Sequence, residues 1–215
     1  MSRPKVQRGG DRTRQRLLQT AIRRFAQRGY DGVSVDEIVA AARVNKRMVY
    51  HYFGSKDELY LAALTEVFGE LEQVELQVLE PGDPPDTQLE RLLTAYFDFL
   101  DAHPEFVRLL LWENLGRGRH IARQAERLQK NPFLQQFTLV LDRGIKAGVF
   151  RRPVDRRHLA ANLIGLCFIY YSNRYSLAAS LQVALDDPAD RVQRVRQAVD
   201  LLLHGVCAPG ERRRR

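Results

Sequence analysis

No apolar run in this chain is long enough to cross a bilayer. The most apolar stretch, residues 159–171, falls short of the roughly 20 residues a spanning helix needs, and Asn162 interrupts it. Nothing apolar follows the basic stretch from Arg3 to Arg16, so the N-terminus does not read as a secretory signal. Cysteine is scarce: Cys167 and Cys207 are the two in 215 residues, far apart and within apolar helical patterns. They are expected as reduced thiols of a cytoplasmic protein rather than as a disulfide or a metal pair. The five histidines, at positions 51, 103, 120, 158 and 204, form no His-x3-His pair. A phosphate-cradling Gly-rich loop and a nucleophile elbow are also missing, so neither an enzyme nor a cofactor is expected. Period-2 alternation bounded by hairpin turns is absent as well, which leaves an all-α fold.

What is present is positive charge gathered in one place. The formal net charge is +8. Residues 1–56 hold 13 Lys/Arg against 4 Asp/Glu, whereas residues 57–210 hold 17 against 21. The tail, 211–215, adds four Arg and one Glu. A compact basic head on a mildly acidic body is the electrostatic footprint of a polyanion binder.

Residues 1–10 read as a mobile basic arm. A first helix follows over 11–28, with Leu17, Leu18, Ala21, Ile22 and Phe25 as its apolar stripe and Gly29 as its stop. Ser34-Val35-Asp36-Glu37 is a capping box, and it opens a short helix to about Ala42. Asn45 is the expected N-cap of a third helix, 46–53. Ser55 caps a long one that ends near Glu80, with Leu59, Ala63, Val67, Leu71, Val74 and Val78 on its buried side. The string PGDPPD, 81–86, is a firm break. Beyond it the spacing predicts helices through Leu89–Leu100, from Pro104, over Arg119–Lys130 and from Pro132 to Gly148. Two long helices close the chain, 155–179 and 187–206. The former is apolar on most sides, so a second chain is expected to cover one face. The latter carries Val192, Val195, Val199, Leu202 and Val206.

The short helix 46–53 explains the basic head. With 36–42 it has helix-turn-helix spacing. Val49 and Phe53 lie at i and i+4 and face inward over Val44, while Lys46, Arg47, Tyr50 and His51 point elsewhere. Arg47 suits guanine O6/N7, and Asn45 suits adenine or a phosphate. The segment SVDEIVAAARVNKRMVYHYFGSKDELY resembles the N-terminal domain of the TetR family of bacterial transcriptional regulators. Gly29-Tyr30, Ser34, Ile38, Val44, Val49-Tyr50, Tyr52-Phe53, Lys56 and Leu59 fit the family pattern in order and without gaps, across residues 11–64.

That resemblance implies roles. Ser34 would touch phosphate as well as cap; Asn45, Lys46, Arg47 and Tyr50 would lie in or beside the major groove. Tyr52 and Lys56 would grip the backbone, and His51 the groove edge or a phosphate. Two positions depart from the pattern: Val39 stands where a small Ala is usual, and Arg43 where Gly is usual. A positive φ at Arg43 costs roughly 1 kcal/mol, with a phosphate contact as the expected compensation.

The implied architecture is an all-α protein: an N-terminal three-helix helix-turn-helix domain over 11–56, then a larger helical effector-binding and dimerisation domain over 57–208. A basic tail, 209–215, ends it. The expected partners are a palindromic operator in double-stranded DNA, a second copy docked through helices 155–179 and 187–206, and a small effector of unknown identity; no membrane is expected. Effector candidates are the aromatics Tyr96, Phe99, Phe106, Trp112, Phe137, Phe168 and Tyr171, with the polar groups Glu113, Asn114 and Asn162. A hydrophobic or aromatic effector suits such a lining, and release of a repressor is the expected outcome. The alternative is a helical DNA-associated or adaptor protein without effector control, which would bind DNA weakly and without regard to sequence.

Overall fold

The structure is a computed structural model, and it describes residues 5–79, 82–124, 132–152, 155–182 and 187–207, with side chains from Gly10 onward. Ten α-helices lie among the described residues: α1 Lys5–Arg28, α2 Val35–Ala42, α3 Arg47–Phe53, α4 Lys56–Val78, α5 Pro85–Ala102, α6 Pro104–Leu115, α7 Pro132–Lys146, α8 Arg156–Ser172, α9 Arg174–Leu181 and α10 Pro188–Val206. A single 3-10 turn covers Ile121–Gln124. The all-α expectation holds. No helix among the described residues is long and apolar enough to cross a membrane. Helix α1 begins at Lys5, so the stretch expected as an irregular arm is already helical from Lys5 to Gly10; its Lys, Gln and Arg residues are good helix formers. Residues 1–4, the second half (125–130) of the helix expected over Arg119–Lys130, Glu80 with the first residue of the break, Pro81, and everything from 208 onward, including the expected tail 209–215, lie outside the described residues.

The chain divides into two compact units. One comprises residues 1–70 and 105–128, the other 71–104 and 129–215. In the first, α1 packs on α2 and α3. Leu17, Leu18, Ala21, Ile22 and Phe25 are all buried there, together with Ile38, Val49, Phe53, Leu59 and Tyr60. In the second, α5 is the central helix, packed on α7, α8 and α10. Its six periodic apolar residues, Leu89, Leu92, Leu93, Tyr96, Phe97 and Leu100, are all buried. Gly144 lets α7 receive Phe150, since a Cβ there would come within 2.1 Å of that ring.

Three helices differ from expectation. The buried side of α4 runs through Leu59, Ala63, Val67 and Leu71 as expected, then continues to Glu75 and Leu79 instead of Val74 and Val78. The helix expected over 155–179 breaks at Asn173, whose amide closes the last turn of α8 on the Ile169 carbonyl and whose φ of −112° leaves the helical region. Ser and Asn compete with the helical ladder through local side-chain-to-backbone hydrogen bonds, and here the Ser176 hydroxyl donates to the Asn173 carbonyl at 3.0 Å. On α10 the buried positions are Ala198, Leu202 and Val206, while Val192 is exposed. Helix α8 buries Leu159, Leu163, Cys167 and Tyr170, yet Ile164 and Ile169 stay 39% and 46% exposed and Leu201 of α10 is 62% exposed. Neither cysteine is in a disulfide.

Candidate nucleic-acid interface

The turn between α2 and α3 is built by capping chemistry. The Ser34 hydroxyl accepts from the Glu37 amide at 3.2 Å, and the Glu37 carboxylate accepts from the Ser34 amide at 2.8 Å. Arg28 adds an ion pair to Glu37 at 2.6 Å. The Ser34 amide, then the Arg28 and Ser34 side chains, hold the Glu37 carboxyl down at about 2. Helix α2 ends on Arg43 in the left-handed region, φ 53° and ψ 50°, a conformation that glycine adopts without strain. Its amide returns to the Ala40 carbonyl and that of Val44 to Val39, which closes the turn tightly. Val39 is buried in this setting and is accommodated.

Asn45 caps α3 through its side chain, whose Oδ1 accepts from the Arg47 amide at 2.9 Å. One acceptor of Asn45 thereby serves the helix start. Val49 is fully buried and Phe53 nearly so, which fixes the rotation of α3. That rotation leaves Lys46, Arg47, Tyr50 and His51 exposed, with Tyr50 at 52%. Lys46 is paired with Asp36 at 2.9 Å, which raises its pKa, so a phosphate would have to compete with that carboxylate. Among the described residues Arg47 has no ion-pair partner. His51 stands edge-on to half-buried Tyr52, centroids 4.8 Å apart. Lys56 rests its ammonium 4.2 Å above the Tyr30 ring. Tyr30 in turn donates to Asp57; burial and that carboxylate raise the phenol to about 12. One contact had no signal in the sequence pattern: Arg14 of α1 lies 5.1 Å over the Phe53 ring, beside α3.

The ten effector candidates are divided between the two units. Four of them, Phe106, Trp112, Glu113 and Asn114, belong to the unit that carries the helix-turn-helix. Trp112 packs against Gly29 and donates its indole N–H to the Ala26 carbonyl at 3.3 Å. Glu113 is buried and accepts from the His120 and Ile121 amides at 3.2 and 3.1 Å, with His120 Nδ1 at 2.8 Å. Its carboxylate therefore organises the 3-10 segment, and with Trp112 it also lines a cleft within the first unit. Phe106 packs edge-on to Phe68, and Asn114 is exposed on its own helix, bonded to Leu110. In the second unit, Tyr96 lies 6.4 Å from Phe133, which stacks on Phe137 at 5.5 Å. Tyr171 donates to the Phe97 carbonyl at 2.8 Å, and Phe168 is half-buried on the same helix. Phe99 is buried against His103. Asn162 is exposed on α8, lining an open cleft shared with Leu201 and Gly205 of α10. Sequence reasoning missed Glu75, buried and bonded to Tyr96; the clue was its place one turn between Leu71 and Leu79.

Residues 17–63 match the family described as bacterial regulatory proteins, tetR family, and residues 85–202 match the tetracyclin repressor-like C-terminal domain. The HTH-type transcriptional repressor NicS of Pseudomonas putida is 31% identical over 198 residues, covering 91% of this chain and 93% of that protein. The ketosteroid transcriptional regulator KstR2 of Mycobacterium tuberculosis superposes with a TM-score of 0.67 at 22% identity, covering 91% and 95% of the two chains. AibR, solved with isovaleryl coenzyme A and operator DNA, superposes at 0.66 and 21% identity, covering 89% and 98%. At those identities the two structures establish the fold alone.

Proposed function

The chain belongs to the TetR family of bacterial regulatory proteins and is a DNA-binding transcriptional regulator; from that premise we propose that it is a homodimeric repressor of a palindromic operator, released by a small molecule held in the second unit. The observation that carries this reading is the presentation of α3. Val49 and Phe53 are buried, and the opposite side exposes Arg47, Tyr50 and His51 at the start of a capped helix. A recognition helix needs that arrangement, because base edges are read from its N-terminal residues while its other face docks. Arg47 is the residue proposed to read a guanine. Ser34, Asn45, Tyr50, His51, Tyr52 and Lys56 are proposed to fix the register on phosphates and the groove edge, with Arg43 and Lys46 reaching the flanking backbone.

Pairing of two chains through α8 and α10 is proposed from their exposed apolar side chains, Ile164, Ile169 and Leu201. A dimer places two α3 helices in successive major grooves, about 34–36 Å apart. Two elements are proposed to transmit an effector. Helix α4 is continuous from Lys56 to Val78, and its first half carries head core residues. The segment 112–124 is clipped to the head by Arg119 on Asp31 at 2.9 Å, Arg123 on Glu58 at 2.6 Å and Gln124 on the Leu61 carbonyl at 2.9 Å. An effector that prefers one placement of these elements shifts the population toward it. The test is selection from a random duplex pool at physiological salt, where nonspecific binding is suppressed. Recovery of a palindrome supports the reading; recovery of no motif by folded protein overturns it.

A further inference from the structure

Glu75 is the buried charge in the second unit that the fold itself does not explain. It sits on α4 between Leu71 and Leu79 and is 3% exposed. An apolar residue there would pack at no electrostatic cost, whereas a carboxylate buried without a cation is expensive. No Lys, Arg or His side chain pairs with it among the described residues. The Tyr96 hydroxyl of α5 donates to it, and the other charge that bears on it is a further carboxylate, Glu72. Burial lifts its carboxyl to about 7, so near neutral pH it is poised to ionise beside a positive guest. Tyr96 in turn lies 6.4 Å from the Phe133 ring of α7, and Phe133 stacks on Phe137 at 5.5 Å, so the carboxylate sits at the end of a row of aromatic rings. Cys167 of α8, a neutral thiol pushed up to about 12 by burial, adds no charge to this cluster. A carboxylate among aromatic rings attracts a cation twice: by its charge, and through the negative faces of the rings. The same carboxylate repels carboxylates and phosphates.

We propose that Glu75, with Tyr96, Phe133 and Phe137, reads the charge of the effector, and that the effector is an organic cation, a protonated amine or quaternary ammonium on an aromatic frame. This rests on the effector-released reading above and narrows it to one chemical class. A purely structural Glu75–Tyr96 bond would be served equally well by glutamine, so Glu75→Gln separates the two roles. The probes are 1-naphthylmethylamine, its trimethylammonium derivative and 1-naphthylacetate, titrated calorimetrically into the full-length protein at pH 7.5. The expected result is binding of at least one cation, no binding of naphthylacetate, and at least a tenfold loss for the cation in Glu75→Gln, with the unliganded variant melting no lower than the wild type. Binding of naphthylacetate in preference to the cations, failure of both cations to bind, or equal cation affinity in Glu75→Gln overturns the proposal. The duplex selection runs on the same preparation. A palindrome without cation binding leaves the regulator standing and removes this inference. Cation binding lost in Glu75→Gln, without any palindrome, keeps the site and removes its regulatory role.

Discussion

Arg43 pays for the tight turn with a left-handed backbone, φ 53°, that costs a non-glycine residue roughly 1 kcal/mol. Arg43→Gly should therefore stabilise the protein by about 1 kcal/mol in chemical denaturation. If the exposed guanidinium neutralises a phosphate, the same variant should lower the slope of log K against log salt by about 1. A stabilised variant with an unchanged slope would remove Arg43 from the DNA contact set. Arg47 differs, because it is exposed, has no ion-pair partner among the described residues and is proposed to read a base edge. Arg47→Ala should weaken operator binding by about 1–3 kcal/mol, roughly 10- to 100-fold, with an unchanged melting temperature. Glu75 makes a prediction about pH. Its carboxyl is raised from the ordinary value of 4.5 to about 7 by burial, with Tyr96 and Glu72 the groups facing it. The folded state thus holds a proton that the unfolded state has released, and stability falls as pH rises from about 4.5 to 7. The contribution lost is on the order of 3 kcal/mol. Melting curves at pH 5 and pH 8 should show wild type losing more stability than Glu75→Gln; parallel losses would mean that Glu75 is not buried in the folded state.

Among the elements, α2, α3 and the body of α1 were legible in the sequence, because cap or stop residues and apolar spacing agree there. Helix α2 has a capping box at its start, and α1 has both a periodic stripe and a terminal glycine. The candidate DNA contacts were legible for the same reason: burial of Val49 and Phe53 dictates which side chains of a seven-residue helix remain outside. The break at Asn173 was less visible, since apolar residues continue on both sides of it and the deciding event is one local cap. The docking of 112–124 on the head was not legible at all. It depends on contacts 63 to 88 residues apart in sequence, such as Gln124 with Leu61 and Arg119 with Asp31, which no periodicity encodes. Trp112 and Glu113, expected as effector contacts, are packing and hydrogen-bonding partners within the first unit and also line a cleft there. Gly29 tests that docking. Its φ is +69° and a Cβ there would approach the Trp112 ring to 2.8 Å, so Gly29→Ala meets both strain and a clash. A loss of about 1–3 kcal/mol is expected in thermal or urea unfolding. Smaller loss in a Gly29→Ala, Trp112→Ala double variant than in the two single variants combined would locate the coupling in this contact.

For the whole molecule, the decisive question is how many chains bind at once. A single α3 touches few base pairs, so the affinity and specificity of a regulator require two heads held at one spacing. The second unit offers the means in the apolar side chains that α8 and α10 leave exposed, with Leu201 at 62% and Ile169 at 46%. Leu201 contributes little to the core of its own chain, so a charge there should leave the fold intact while opposing association. Leu201→Glu is expected to elute as a monomer in size exclusion with light scattering, with the helical circular dichroism of the wild type. Every residue proposed to read a base remains in place in that variant, yet its operator affinity should fall toward the sequence-independent level, on the order of 10³-fold or more. Binding to a half-site should change far less, since one head suffices for it. A monomeric Leu201→Glu that still bound the full palindrome with wild-type affinity would mean that the heads act singly, and the two-fold mechanism would then have no basis. A variant that stays dimeric would move the interface away from the exposed face of α10.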